Sequence, residues 1–261
     1  MALGRTSLFH FSIQLVTSVA GFLSTFVIAR YLGADTLGVF VQVTALIALI
    51  TIPSKTVTSA ASKRISERKD QNEYFTACLI LLLGFVVATG TVMWAVKPYL
   101  GTYLGAPVVG LVILYMVSNS IFDLYTSILT GEKKVVASGV IGAVEQGLRF
   151  LLQFSFILLG YALTGLLFGQ IFSILGATLV GVYVSDLRIK RISRVHARRL
   201  ISFAKYTWVN EIRGRSFSWM DILILGALVE SSFVGIYEVS WTLASVLILV
   251  SQSVQQTLFP E

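Results

Sequence analysis

Several charged side chains lie inside long apolar segments of this sequence. Such positions cost roughly 2.5–3.5 kcal/mol each on membrane-insertion scales, so the side chains usually face a protein interior or a water-filled cavity. Glu145 and Arg149 are four residues apart, and Glu211 and Arg215 repeat that spacing. On a helix, each pair shares one face and can form an ion pair. The remaining charges of this kind are Lys55, Asp123, Arg213, Asp221 and Glu238.

Two of these charges have further context in the sequence. Lys55 follows Pro53, and a proline in a helix frees backbone carbonyl groups that must be satisfied by protein or by a cavity. Arg213 and Asp221 lie two helical turns apart along one stripe. These features predict a kink at Pro53 and polar stripes in the segments that carry the other charges.

The elements that must position these residues are long apolar helices. A mean hydropathy of +0.83 and a charged fraction of 13% exclude an ordinary soluble domain, which carries about 25% charged residues. A membrane-spanning helix needs about 20 mainly apolar residues. About eight segments qualify: 9–32, 37–61, 74–96, 108–129, 135–159, 163–185, 206–229 and 233–259. The fold class predicted is an all-α, polytopic membrane helix bundle.

The links between these segments are short, for example 33–36, 97–107, 130–134 and 160–164. Neighbouring helices should therefore form antiparallel hairpins. Short links also leave no room for a catalytic domain outside the bilayer. No nucleotide loop, nucleophile motif or metal-ligand spacing is present, Cys78 is the single cysteine, and His10 and His196 stand alone. The sequence predicts a protein that is not an enzyme, with no catalytic residues, metal or cofactor.

Lysine and arginine concentrate in every second link, which is the positive-inside pattern of a multi-pass membrane protein. The groups are Arg5; Lys63, Arg64, Arg68 and Lys69; Lys133 and Lys134; and the basic residues of 186–205. We therefore expect a cell-membrane protein with a cytoplasmic N-terminus. The net charge of +7 is explained by this topology and by contact with membrane lipid, so no nucleic-acid partner is expected.

A short internal repeat divides the chain. Residues 32–40 (LGADTLGVF) align without gaps on residues 229–237 (VESSFVGIY), and each copy follows the first apolar segment of its half. A parallel repeat of six-helix lobes would produce this arrangement. We expect a first lobe over 1–185, a basic amphipathic cytoplasmic linker over 186–205, and the first two helices of an incomplete second lobe over 206–261.

The sequence also resembles a known family. The opening SIQLVTSVAGFLSTFVIARYLGADTLGVF (12–40), and later DILILG (221–226) followed by VGIY (234–237), are similar to the two lobe starts of polysaccharide-biosynthesis flippases. These belong to the multidrug/oligosaccharidyl-lipid/polysaccharide exporter superfamily. The resemblance implies two lobes around a central cavity and alternating-access transfer of lipid-linked oligosaccharide across the cytoplasmic membrane. It implies a polyprenyl-phosphate-linked glycan as substrate, with a possible coupling ion.

The resemblance gives the intramembrane charges two possible roles. Arginine donates paired hydrogen bonds to phosphate oxygens, so the head-group candidates are Arg213, Arg149, Arg215 and Lys55. The candidates for cavity acids or cation coupling are Asp221, Glu145, Glu211 and Asp123. Alternatively, Glu145–Arg149 and Glu211–Arg215 are neutral pairs that hold helices together. Arg213 is the preferred single candidate.

Three alternative functions stay open at this point. A cation-coupled multidrug exporter of the same superfamily would favour an acidic cavity over one lined by arginine. A membrane glycan polymerase or ligase would need a large external loop, which the short links argue against. A non-transporting membrane scaffold is the third.

Overall fold

The protein is described by a computed structural model. It describes the backbone of residues 2–191 and 194–258, and the side chains of 21–191 and 194–245. Within these ranges every regular element is a helix, which confirms the all-α prediction. The helices are α1 (Ala2–Ile50), α2 (Ile52–Ser66), α3 (Gln71–Ala95), α4 (Lys97–Leu104), α5 (Val109–Gly131), α6 (Val135–Leu158), α7 (Leu163–Val184), α8 (Arg194–Leu228) and α9 (Ser231–Leu258).

Five stretches within the described residues are long and apolar enough to cross a membrane: Gly21–Ile50, Gln71–Ala95, Val109–Gly131, Val135–Leu158 and Leu163–Val184. They confirm the membrane helix bundle. The apolar segments predicted over 206–229 and 233–259 lie mostly in α8 and α9, which are helical. The number of eight spans stays a prediction.

The helix α1 turns back on itself at Gly33. Gly33 has φ 83° and ψ 163°, a backbone conformation outside the helical region that glycine adopts without a Cβ clash. Residues 21–28 and 37–44 then line one small cavity, although a straight helix would separate Gly21 from Thr44 by about 34 Å. The hairpin predicted at 33–36 is therefore present.

A second break follows at Thr51, where α1 ends and α2 begins, with Pro53 in the first turn of α2. This confirms the kink predicted at Pro53, which the structure shows as a break between two helices. The link predicted over 97–107 contains the short helix α4 (Lys97–Leu104). Pro98 suits a first helical turn, and Gly105 ends the helix with φ 64°.

The basic segment 186–205 does not form a separate surface helix. Residues 186–191 are non-helical, and from Arg194 the chain is part of α8, which continues through the apolar segment predicted as the seventh span. The amides of Arg188 and Lys190 donate to Asn72 Oδ1 (2.7 Å) and Thr76 Oγ1 (3.0 Å) of α3. Residues 186–191 are thus fixed to the start of α3, at the end of the bundle that carries the basic links.

Apolar packing joins these helices at three places. One buried cluster fills the space between the second half of α1, α5 and α7. A second lies between α2, α3 and α5 and includes Leu200 of α8, which is fully buried. A third joins both halves of α1 to α6, α7, α8 and α9, with Ile222 and Val234 contributed by the last two helices. Described residues of α8 and α9 beyond 205 therefore pack against the helices of residues 1–185.

Candidate functional site

The first group of charged residues joins α2, α5 and α8. Lys55 Nζ lies 2.6 Å from Asp123 Oδ1, and Arg215 Nη2 lies 3.7 Å from Asp123 Oδ2. Arg215 Nε is also 3.9 Å from Glu211 Oε2, as the four-residue spacing predicted. We refer to Lys55, Asp123, Glu211 and Arg215 as the neutral network. Its two cations balance its two carboxylates.

The neutral network is also attached to the break between α1 and α2. Arg215 Nη1 donates to the carbonyl oxygen of Ala48 at 2.9 Å and lies 3.3 Å from Thr51 Oγ1. In an uninterrupted helix, this carbonyl would accept from the amide four residues later. Arg215 thus satisfies a carbonyl at the end of α1, and Ser59 donates to Glu211 at 3.3 Å. Most polar contacts of Arg215 are therefore structural.

Lys55 has a second environment besides Asp123. It lines a cavity of about 350 Å³ between α2, α5 and α6. The other lining residues all carry hydroxyl groups: Ser59, Ser62, Thr126, Ser127, Thr130 and Ser138. The cavity lies near the basic links that contain Lys63 and Lys133.

The second group of charged residues lies between α6 and α7. Glu145 is buried, and its Oε1 accepts from Gln170 Nε2 at 3.2 Å and from Ser173 Oγ at 3.4 Å. Arg149 Nη1 is 3.8 Å from the same oxygen, which confirms the predicted pair, although the contact is looser than a direct hydrogen bond. Close helix packing permits this geometry, because Gly169 of α7 lies directly against Gln153 of α6.

Arg149 also lines a cavity of about 140 Å³ enclosed by α1, α6, α7, α8 and α9. We refer to it as the central cavity. Its polar wall contains Ser24, Thr25, Thr44, Arg149, Gln153, Gln170 and Glu238, and Trp219 adds an indole ring. The side chain of Arg149 is 28% exposed, whereas that of Glu145 is 10% exposed. The guanidinium therefore faces the cavity while its acidic partner lies behind it.

The sequence interpretation did not select Gln153, Gln170 or Glu238 as site residues. A signal was available for the two glutamines, since an amide in a membrane helix must find partners within the protein. Gln153 donates to the carbonyl oxygen of Leu166 at 3.2 Å, and Gln170 donates to Glu145. Trp219 packs in the third apolar cluster and also contacts the cavity.

Arg213 and Asp221 are not brought together. Arg213 is exposed, and among the described residues it has no ion-pair or hydrogen-bond partner. At 100° per residue it lies about 200° around α8 from Arg215, so the two arginines point to opposite faces. Asp221 instead accepts from the hydroxyl of Tyr237 in α9 and from the amide of Ile222. The four predicted head-group candidates therefore do not form one common lining in this structure.

These features define the class: a multi-pass helical membrane protein whose helices enclose a polar, charged cavity. The family follows from comparison. Residues 3–261 match the family model described as "Polysaccharide biosynthesis protein", so the chain belongs to this family. The resemblance to polysaccharide-biosynthesis flippases is thereby confirmed.

Two curated relatives from Haloferax volcanii (strain ATCC 29605 and equivalents) are similar along the whole chain. "Probable flippase AglR" is 29% identical over 260 residues, which cover 99% of this chain and 55% of the relative. "Probable low-salt glycan biosynthesis flippase Agl15" is 29% identical over 266 residues, covering 100% and 56%. The chain thus spans just over half the length of these relatives.

A solved structure shares the fold. It is described as the inward-facing conformation of a multidrug resistance MATE family transporter of the MOP superfamily. The TM-score is 0.62 at 18% identity, and the match covers 88% of this chain and 56% of that one. At this identity the likeness concerns the helix arrangement alone.

Proposed function

We propose that the protein contributes to flipping a lipid-linked oligosaccharide across the cytoplasmic membrane for surface polysaccharide or glycan assembly. Membership in the polysaccharide biosynthesis family supports this, as do two relatives named as probable flippases. Both relatives extend well beyond the length matched here, so the proposal concerns the activity of a whole transporter in which this region supplies the central cavity.

The observation that carries the proposal is the position of Arg149. Its guanidinium faces the central cavity, and its neighbouring carboxylate is already held by Gln170 and Ser173. Arginine has five N–H donors in a planar fork that matches phosphate oxygens. A polyprenyl phosphate or diphosphate group is anionic and needs such donors inside an apolar bundle. We propose that Arg149 binds this group, with the amides of Gln153 and Gln170 beside it.

The other candidates have different roles in this proposal. Lys55, Asp123, Glu211 and Arg215 hold α2, α5 and α8 together, because their charges are balanced within the neutral network. Glu145 positions Arg149 and is a candidate for cation or proton coupling. Arg213 and Asp221 stay candidates for the head group and the coupling ion, respectively, because the central cavity reaches α8 and α9 through Trp219 and Glu238.

We further propose a cytoplasmic N-terminus and a two-lobe organisation, with 1–185 as the first lobe and 206–261 as the start of the second. The basic links lie at one end of the bundle, and positively charged residues favour the cytoplasmic side of the membrane. Residues 186–205 connect the lobes through the non-helical stretch and the first turns of α8.

Arg149→Ala tests the head-group assignment. Cells whose own copy is deleted would carry the wild-type protein, Arg149→Ala or Arg149→Lys, and surface glycan and protein abundance would be measured together. We expect loss of surface glycan with Arg149→Ala and partial recovery with Arg149→Lys, because an ammonium lacks the planar fork. Lys69→Ala is the matched control, since Lys69 is an exposed cation outside the cavity. Normal glycan display by Arg149→Ala at normal abundance would remove Arg149 from the substrate site.

The multidrug-exporter alternative has a distinct expectation. Cells carrying the wild-type protein would then gain resistance to cationic drugs, and surface glycan would not depend on the protein. Measuring both properties in the same strains separates the two functions.

A further inference from the structure

An apolar groove of about 220 Å³ lies between α2 and α8. The residues of α2 that line it are Pro53, Thr56 and Val57. The residues of α8 that line it are Ile201, Ala204, Lys205 and Trp208. The groove and the central cavity have no lining residue in common, so they are separate features of the molecule. We refer to this feature as the α2–α8 groove.

The wall of the α2–α8 groove is apolar except for one cation. Pro53 has no backbone N–H, and the hydroxyl of Thr56 donates to the carbonyl oxygen of Ile52 at 2.7 Å, so neither residue offers a donor to the groove. Lys205 is exposed and supplies an ammonium group. Trp208, which is 50% exposed, combines a large apolar ring with one N–H donor. This lining matches a molecule that has both a hydrocarbon chain and an anionic group.

The depth of the α2–α8 groove corresponds to one leaflet of a bilayer. The helix α2 ends at Ser66, next to the basic link that contains Lys69. Thr56 lies ten residues earlier, which is about 15 Å along the helix axis at 1.5 Å per residue. The hydrocarbon core of a bilayer is about 30 Å thick, so half of it spans a similar distance. The groove therefore lies at the depth of the fatty chains of the leaflet at the basic end.

Lys205 belongs to a row of cations on one face of α8. At 100° per residue, Arg194, Arg198 and Lys205 lie within a sector of about 40° around the helix. We refer to these three residues as the basic stripe. Helical side chains lean towards the N-terminus of their helix, which for α8 is the end near the basic links. Lys205 therefore leans out of the groove towards Arg198, as lysines do when they extend from an apolar surface towards water.

Other cations near this end of α8 already have partners within the protein. Arg64 of α2 pairs with Glu67 at 3.2 Å, and Arg199 donates to the hydroxyl of Tyr74 at 3.4 Å. In the part of the chain that the structure describes, the basic stripe forms no ion pair. Its three charges are therefore available to an anion that is not part of the described chain.

We propose that the α2–α8 groove binds one acidic phospholipid of the surrounding bilayer. One fatty chain lies between Val57 and Trp208, and the phosphate binds Lys205 and Arg198. Charge complementarity selects an acidic lipid, since basic residues near the membrane surface attract anionic head groups. The lipid is a bound component that joins α2 to α8, and it is not the molecule carried through the central cavity. The proposal therefore goes beyond the proposed function and does not depend on it.

Quenching of tryptophan fluorescence by brominated lipids tests this site. The full-length protein would be reconstituted in phosphatidylcholine vesicles that contain either phosphatidylglycerol or phosphatidylcholine with brominated fatty chains, at equal fractions. The signal of Trp208 is the difference between each protein and the same protein with Trp208→Phe. We expect stronger quenching of this signal by the brominated phosphatidylglycerol.

Two substitutions separate the head-group contact from general attraction to a basic surface. Lys205→Gln should lower the relative affinity for brominated phosphatidylglycerol roughly fivefold, the effect of one basic residue near the surface. Lys69→Gln is the matched control, because Lys69 is an exposed cation outside the groove, and it should leave the preference unchanged. Ala204→Leu narrows the groove without removing a charge, so it should weaken quenching by both lipids.

Four results would overturn the proposal. Equal quenching by the two lipids would show that the groove does not select a head group. Absence of Trp208 quenching by either lipid would show that protein covers the groove in the full-length chain. An unchanged preference in Lys205→Gln would remove Lys205 from the site. Displacement of the brominated phosphatidylglycerol by a polyprenyl phosphate, but not by unlabelled phosphatidylglycerol, would assign the groove to the transported substrate.

Discussion

The neutral network and the Arg149 site use the same residue types for different purposes. In the neutral network, Asp123 is shared between Lys55 and Arg215, and Arg215 also binds a backbone carbonyl at the end of α1. At the Arg149 site, Glu145 is satisfied mainly by Gln170 and Ser173, and the arginine is left facing a cavity. The comparison shows that the partners of the acid decide whether a buried arginine is structural or available for a ligand.

The largest effect is expected for Asp123→Asn. The substitution keeps the shape but leaves Lys55 and Arg215 without their shared carboxylate. Breaking a fully buried ion pair by removing one partner costs about 3–5 kcal/mol, and because the side chains of Lys55 and Arg215 are 24% and 23% exposed, we expect a cost towards the lower end of this range. We expect a strongly reduced thermal midpoint of the purified protein in detergent and reduced abundance in the membrane.

A double variant checks that this loss reflects unpaired cations. Lys55→Met combined with Asp123→Leu removes two mutually neutralising charges together, so it should be less destabilised than Asp123→Asn. If Asp123→Asn is as stable as the wild-type protein, the neutral network does not stabilise the fold. The proposed difference between the neutral network and the Arg149 site would then be wrong.

A smaller loss is expected at the Arg149 site. Glu145→Ala leaves the side-chain amide of Gln170 without its acceptor, which costs roughly 1–3 kcal/mol for a buried polar group, whereas Ser173 keeps the carbonyl oxygen of Gln170 as acceptor. Replacing Glu145 and Arg149 together should be less destabilising than Glu145→Ala, since the unpaired cation is also gone. Export should be lost in both, because both disturb Arg149.

Measuring thermal stability and glycan export in the same variants separates the structural role of the Glu145–Arg149 pair from the role of Arg149 in transport. Thermal midpoints would show coupling between the two positions, whereas export would not recover in the double variant. Recovery of export together with stability would mean that the pair is purely structural.

The close packing of α6 against α7 at the Arg149 site predicts a loss of stability that is similar to, or smaller than, the loss expected for Glu145→Ala. A Cβ at Gly169 would lie 2.7 Å from Cγ and 2.9 Å from the backbone nitrogen of Gln153, so Gly169→Ala must push α6 and α7 apart. Overpacking of this kind costs about 1–3 kcal/mol. Gly139→Ala, at a position where an added Cβ meets no atom within 4 Å, should instead be neutral or gain about 0.5–1 kcal/mol of helix stability. Circular-dichroism melting of the two variants compares them directly.

The smallest change in stability is expected for Arg213→Ala. Exposed residues outside special contacts change the free energy of unfolding by less than about 0.5 kcal/mol. The proposed head-group role predicts lost export despite this unchanged stability. Normal export from a normally abundant Arg213→Ala protein would leave Arg149 as the main anion-binding candidate.

The spacing of residues along the sequence was sufficient to predict the ion pairs within single helices and the points where the helices are interrupted. The pairs Glu145–Arg149 and Glu211–Arg215 follow from helix geometry alone. The hairpin at 33–36 follows from the pattern of apolar segments, and the kink at Pro53 follows from backbone chemistry. Contacts between distant segments could not be obtained that way. Lys55 and Asp123 are 68 residues apart, and their meeting depends on how α2 packs against α5.

The site residues illustrate the same limit. Arg213 was preferred because its same-stripe acid, Asp221, lies two helical turns away, yet helix rotation places Arg213 opposite Arg215. Arg149 was one of four head-group candidates and not the preferred one, and only the fold showed that it lines the central cavity. The repeat was visible in sequence, but the close approach of its two copies at Gly38 and Gly235 required the fold.

The continuity of α8 has a mechanical consequence. Its 35 residues form one rod about 50 Å long at 1.5 Å per residue. One end is held near α3 by buried Leu200, and the region towards the other end carries Trp219 at the cavity and Asp221 bonded to α9. A rigid rod converts a small tilt at one end into a larger displacement at the other. Because one continuous helix carries both Leu200 and Trp219, the wall of the central cavity and the basic residues at the start of α8 are parts of the same element.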